Sequence, residues 1–120
     1  MKRSGKTNPR LVNLIRMLKS ASHENEANIW REIARRLDTS SSNYAEVNIG
    51  KINRYAQAGE IILVPGKVLG SGILDQSVKV AALHFSESAR EKIVQAEGDC
   101  MTIEELVSAH PAGSRVRILR

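Results

Sequence analysis

An α/β fold is predicted by three features of this 120-residue sequence. Apolar residues recur at helical spacing through the first half, β-branched runs bounded by glycine and proline begin near Glu60, and short strand and helix signals then alternate to the end. The expected architecture is an N-terminal basic arm and helices, then a compact mixed domain of short strands and helices. Residues 1–7 form the arm, 8–59 a helical region and 60–120 the α/β core, within one compact domain overall. With 42 % hydrophobic and 26 % charged residues, the composition is that of a globular chain. Apolar runs such as Ile61 to Val64 are too short for a membrane span, no secretory signal is expected, and the single cysteine, Cys100, precludes an internal disulfide.

Residues 1–7 carry three cations and no apolar side chain after Met1, so they have nothing to bury and are expected to form an extended arm that a partner orders. Asn8 caps and Pro9 opens the first helix, where Leu11, Leu14, Ile15 and Leu18 make one buried stripe. Arg16 and Lys19 flank the stripe on one side and Arg10 on the other, and the helix is expected to end near Ser22. A second helix runs from about Ala27 to Leu37, with Ile29, Trp30, Ile33 and Leu37 inward and Arg31 and Arg35 outward. Thr39 to Asn43 is rich in side chains that compete for backbone hydrogen bonds, and so reads as a loop. Asn48 caps a third helix from Ile49 to about Ala58, stopped by Gly59, with Lys51 and Arg54 sharing its outer face.

From Glu60 the pattern turns strand-like. Ile61 to Val64 is one strand, Pro65-Gly66 a turn, and Lys67 to Leu69 the next short strand. After the Gly70-Ser71-Gly72 loop, Val78 to His84 forms a strand. Ser86 then caps a helix from about Glu87 to Glu97, with Gly98 as its stop. Thr102 and Glu105 make a T-x-x-E capping box for a helix carrying Ile103, Leu106 and Val107, ended by His110-Pro111. Ser114 to Leu119 closes the chain as a strand of alternating basic and apolar residues.

Charge is unevenly spread. Residues 1–59 hold eleven basic and five acidic residues, a net of +6, whereas residues 60–120 hold seven and eight, a net of −1. Such asymmetry points to a polyanion, because each cation set against a phosphate releases condensed counterions. The aromatic residues, Trp30, Tyr44, Tyr55 and Phe85, are scattered and do not make a platform for stacked bases. RNA would therefore be held mainly through phosphates, sugars and shape, by Lys, Arg, Thr and Asn.

No constellation for catalysis emerges. Gly66-Lys67 fails the phosphate-loop pattern, since Val68 follows the lysine and position 61 is Ile61. Gly70 and Gly72 lack a third glycine, position 75 being Asp75. His23, His84 and His110 have no metal-ligand spacing. Cys100 and His110 have no third group to orient them, and Glu104 and Glu105 point different ways on one helix. The reading is of a non-enzyme with no cofactor, metal, membrane or small-molecule partner.

Gly5-Lys6-Thr7-Asn8-Pro9-Arg10-Leu11, Ala45-Glu46-Val47-Asn48-Ile49-Gly50-Lys51-Ile52 and above all Val64-Pro65-Gly66-Lys67-Val68-Leu69-Gly70-Ser71-Gly72 resemble the large-subunit ribosomal proteins of the eighteen-e family, in their short archaeal form. Val80-Ala81-Ala82, Phe85-Ser86, Ala89, Lys92-Ile93 and Gly113-Ser114-Arg115-Val116-Arg117 continue the likeness over essentially the whole chain. Ser40-Ser41-Ser42-Asn43-Tyr44 departs from it, being without the basic residues usual there. The resemblance implies a structural constituent of the large ribosomal subunit, cytoplasmic on the ribosome, that binds large-subunit ribosomal RNA, touches neighbouring subunit proteins and supports translation. It also implies a C-terminal fold similar to the bacterial fifteen family, an irregular strand-strand-helix superhelix. The residues expected at RNA are Lys2, Arg3, Lys6, Thr7, Asn8, Arg10, Arg16, Lys19, Arg31, Arg35, Arg36, Lys51, Arg54 and Lys67. A free-standing RNA-binding protein is the alternative that charge alone allows, and a small enzyme built on Cys100 a remoter one.

The arm generates a direct test. Its residues have almost no apolar surface to offset the roughly 1–2 kcal/mol lost on fixing each backbone unit. Deleting residues 1–7 should leave the melting temperature of the free protein unchanged while weakening retention of ribosomal RNA on a filter. A matching fall in melting temperature, or undiminished retention, would show the arm to be misassigned.

Overall fold

The computed structural model describes residues 8–120. Expectations for Lys2, Arg3, Lys6 and Thr7 lie outside the described residues. Among the described residues are five α-helices, α1 (Pro9–Asn25), α2 (Asn28–Leu37), α3 (Ile49–Tyr55), α4 (Glu87–Gln95) and α5 (Ile103–Ala109), and a short 3-10 turn at Ser41–Asn43. Five strands, β1 (Ala45–Asn48), β2 (Ile61–Leu69), β3 (Lys79–Phe85), β4 (Asp99–Thr102) and β5 (Val116–Ile118), form one wholly parallel sheet. The spatial order is β1-β2-β3-β4, with β5 also paired to β2.

The caps form as their chemistry dictates. The Asn8 side chain accepts from the Arg10 N–H at 2.9 Å, Asn48 from Lys51 and Ser86 from Ala89. The Thr102 hydroxyl accepts from the Glu105 N–H at 3.0 Å, and the Glu105 carboxylate accepts from the Thr102 N–H at 2.8 Å, completing the capping box.

Because successive strand residues face opposite ways, the sheet divides its apolar residues between two cores. Ile61, Leu63, Ala81 and Leu83 face α1, α2 and α5, meeting Leu14, Leu18, Trp30, Ile33, Leu37 and Leu106. Ile62, Val64, Val68, Val80 and Ala82 face α3 and α4, meeting Ile49, Ile52, Ala89 and Ile93. A parallel sheet covered on both faces needs unbroken apolar strands, which explains the run Ile61-Ile62-Leu63-Val64. Trp30 is fully buried, and its indole N–H donates to the Pro111 carbonyl at 2.8 Å, tying α2 to the turn before β5.

Several local expectations are corrected. Pro65-Gly66 is not a turn: β2 runs straight through it, with a register shift against β3 between Val64 and Lys67. One edge of β2 is bonded by β3, and the other by β5 at Ile61–Leu63 and then by β1 at Gly66–Leu69. Pro65 sits where that second edge passes from β5 to β1, so its missing N–H costs no ladder bond. β1 and β4 are strands in segments to which the sequence pattern assigned no element. α1 continues past Ser22 to Asn25, ending where Glu26 turns left-handed and the Ala27 N–H reaches the Ser22 carbonyl at 3.1 Å. α3 stops at Tyr55 rather than Ala58, because Ala56 is already extended on the way into β2. At the end of α4 the left-handed residue is Glu97, not Gly98. Gly98 is there because its Cα lies on the Val78 backbone, where a side chain would collide.

The β2–β3 connection, residues 70–78, contains no helix. It must return from the carboxyl to the amino end of the sheet, roughly 26 Å at about 3.3 Å per residue, and so runs nearly taut. Lys92 pins it by donating to the Gly70 and Gly72 carbonyls, both at 2.6 Å, and the Gln76 amide donates to the Asn53 carbonyl at 2.8 Å.

Gly66 makes the tightest approach to another strand's backbone, since a Cβ there would overlap the Ala45 backbone on the neighbouring strand. Gly66→Ala should therefore destabilise the protein by about 1–3 kcal/mol, the usual range for overpacking. Urea unfolding measures this, and an unchanged midpoint would show that β1 is not held in this register.

Candidate nucleic-acid interface

Eight of the expected cations come from α1, α2 and α3, so their directions follow from which face each helix buries. Leu14, Ile15 and Leu18 turn α1 inward and leave Arg16 and Lys19 exposed. On α2, burial of Trp30, Ile33 and Leu37 leaves Arg31 and Arg35 exposed. Arg16, Lys19 and Arg31 make no ion pair among the described residues. Arg35 and Arg36 both meet the Glu32 carboxylate, at 3.2 and 2.9 Å, and that one carboxylate leaves a net positive charge on this part of α2.

Arg10 is placed differently. Its guanidinium donates twice to the Glu104 carboxylate, at 3.0 and 3.2 Å, and once to the Leu83 carbonyl at 3.1 Å. One side chain thus joins α1, α5 and the end of β3. The hydrogen bond from Arg10 holds the Glu104 carboxyl below its ordinary value of 4.5, against a smaller opposing effect of burial. The same bond raises the Arg10 pKa. Glu104 was visible in the sequence only as one of two adjacent carboxylates, and no local pattern links it to Arg10.

On α3, the Lys51 ammonium donates to the Arg120 carbonyl, whereas Arg54 is exposed, its guanidinium 6.0 Å from the Tyr55 ring centre. Asn8 spends its side-chain oxygen on the cap of α1. Lys67 projects from β2 with Glu46 and His84 as its neighbours on the flanking strands. With Ser41, Ser42 and Tyr44 these three line an open cavity of about 360 Å³. In the sequence His84 shows only the lack of metal-ligand spacing to the other histidines, because strand pairing alone brings it beside Lys67.

The cations thus do not form one patch: some stand on the outer faces of α1 and α2, Lys67 stands at the carboxyl end of the sheet, and Lys51 and Arg54 belong to α3 across the sheet. No group of three or more His, Cys, Asp or Glu suited to a metal ion occurs among the described residues. Among the same residues no helix is long and apolar enough to cross a membrane.

Comparison with known proteins gives this surface its context. The family model described as ribosomal protein 60S L18 and 50S L18e matches residues 1–120. The chain belongs to that family. A large ribosomal subunit protein eL18 from Methanoregula boonei is 70 % identical over 115 residues, covering 96 % of this chain and 95 % of its own length. The Methanosphaerula palustris protein of the same name is 69 % identical with the same coverage. That of Methanospirillum hungatei is 60 % identical over 99 % of this chain and 98 % of its own. Within this family of ribosomal proteins, the α/β fold with N-terminal helices is as the sequence led one to expect.

The Arg10–Glu104 pair generates a pH prediction. Because the Glu104 pKa is lowered on folding, its contribution to stability is complete above the ordinary 4.5 and is lost as pH falls through the depressed value. Glu104→Gln should cost about 0.5–1 kcal/mol at pH 7, a figure limited by the pair's partial exposure. The deficit should close in acid. Urea unfolding at several pH values measures it, and a deficit that persists at low pH would assign the loss to packing instead.

Proposed function

We propose that the chain is a structural constituent of the large ribosomal subunit, cytoplasmic on the ribosome, that binds large-subunit ribosomal RNA through basic residues of its N-terminal half. It supports translation as a ribosomal component and catalyses no reaction. The observation that carries the reading is that Arg16, Lys19 and Arg31 stand on the outer faces of α1 and α2 and make no ion pair among the described residues. Cations left without a protein partner are available to phosphates, where each releases condensed counterions.

On this reading residues 8–59 form the main RNA-binding region, extended by Lys2, Arg3, Lys6 and Thr7 of the arm and by Lys67 from the α/β core. Arg35, Arg36 and Arg54 add to the field. Arg10, Asn8 and Lys51 are already engaged within the protein, so they act chiefly by holding the helices in place. Neighbouring large-subunit proteins are the second class of partner. The alternative of a free-standing RNA-binding protein is separated by sedimentation: a ribosomal component remains with large subunits through a moderate salt wash.

With about five to eight phosphates neutralised, the slope of log K against log salt should be roughly −4 to −7. Filter binding to deproteinised large-subunit ribosomal RNA measures it. Reversing Arg16 or Lys19 to Glu should flatten the slope by about one contact each. A slope near zero would remove the electrostatic basis of the reading.

A further inference from the structure

The parallel strands all end on one edge of the sheet, and at the end of β3 two open cavities lie side by side. The first, described above, holds Lys67, Ser41, Ser42 and Glu46. The second, of about 390 Å³, is lined by Phe85, Arg90, Cys100, Met101, Thr102 and Glu105 among others. His84 lines both. Arg90 is exposed on α4, and its guanidinium lies over the Phe85 ring at 5.2 Å from the ring centre. This pair lies in the half of the chain with no excess charge, and it is the stacking device that composition did not reveal.

Resting on the ribosomal RNA reading, we propose that this edge binds a single ribonucleotide strand of the RNA, with a phosphate at Lys67 and the adjacent base stacked on Arg90. The guanidinium is planar and lies over the Phe85 ring, and being exposed it offers a cationic surface on which a base can stack. Such stacking accepts any base, because every base presents a π-face. His84, between the cavities, sits where the strand passes from one to the other. Glu46 faces Lys67 across the strands, so the first cavity offers an acceptor beside its donors. That combination fits a ribose 2′-hydroxyl next to a phosphate better than a free anion. Of the carboxylates near the second cavity, Glu104 is paired with Arg10, while Glu105 keeps its charge with one oxygen held by the Thr102 N–H, so this cavity favours the face of a base over a phosphate. Arg10 also fixes where the chain enters, since its bond to the Leu83 carbonyl sets the start of α1 at this same edge. In parallel α/β sheets this is where ligands bind, outside the carboxyl ends of the strands.

Cys100 makes the proposal testable on the unmodified chain. It is the only cysteine, it is partly exposed, and it lines the second cavity. The full-length protein is alkylated with N-ethylmaleimide, free and saturated with deproteinised large-subunit ribosomal RNA, and the two rates are compared. Occupied by a stacked base, the cavity should protect Cys100 several-fold. The double variant Lys67→Gln, Arg90→Gln changes two exposed side chains, and a thermal melt checks that it folds. It should still retain RNA through the helices, weakened about tenfold by loss of one phosphate contact and one stack, yet show no protection. Arg90 also influences the thiol, so the ratio of bound to free rate is compared within each protein. RNA retained with Cys100 unprotected, or protection that survives the double variant, overturns this inference alone. Failure to retain RNA at all overturns the ribosomal RNA reading, and this inference with it.

Discussion

The sheet on which the helices pack is built around β2, a strand whose two faces and two edges are all in use. Its side chains alternate between the two cores, so every residue from Ile61 to Val64 must be apolar. Its edges are bonded by three other strands, two of which share one side in succession. That sharing is possible because Pro65 breaks the ladder at the changeover and Gly66 lets β1 approach closely enough to begin its own. A residue with an N–H at the first position would leave a donor to satisfy in a buried strand, and one with a side chain at the second would push β1 away. The Pro-Gly pair therefore works as a joint between two neighbours rather than as a turn.

From this joint follows the distribution of charge. β1 carries the chain into α3, and β2 carries Lys67 between β1 and β3, so one N-terminal strand and the central strands build the cavity at the sheet's carboxyl end. Helices α1 and α2 cover the opposite half of that face and present their own cations outward. The fold spends some positive charges internally. Arg10 joins three elements, Arg117 meets Glu60 at 3.1 Å across β5 and β2, and Lys92 holds the taut connection after β2. Each such contact is partly exposed and contributes modestly to stability, but together they set the angles at which the remaining cations face a partner.

Local chemistry wrote much of this in plain sight. Asn8-Pro9, Asn48, Ser86 and the Thr102–Glu105 box start their helices as the sequence alone required, because a cap satisfies backbone donors within three residues of itself. The inward faces of α1 and α2 were equally legible, as was the N-terminal excess of charge. The positions of Arg16, Lys19 and Arg31 on the outer faces follow from the same period.

What the tertiary structure alone decided are the features whose cause lies far along the chain. Ala45–Asn48 and Asp99–Thr102 bury too few side chains to signal a strand, and become strands only by pairing with β2 and β3. The parallel sense of the sheet, the continuity through Pro65-Gly66, the meeting of Arg10 with Glu104 and the grouping of Lys67, His84 and Arg90 at one edge share that character. Composition, period and capping determined the class of fold, most of its helices and the side of the chain that favours a polyanion. Which cations remain free, and which cavities they line, depended on hydrogen bonds and ion pairs between residues tens of positions apart, whose energies no neighbouring residue encodes.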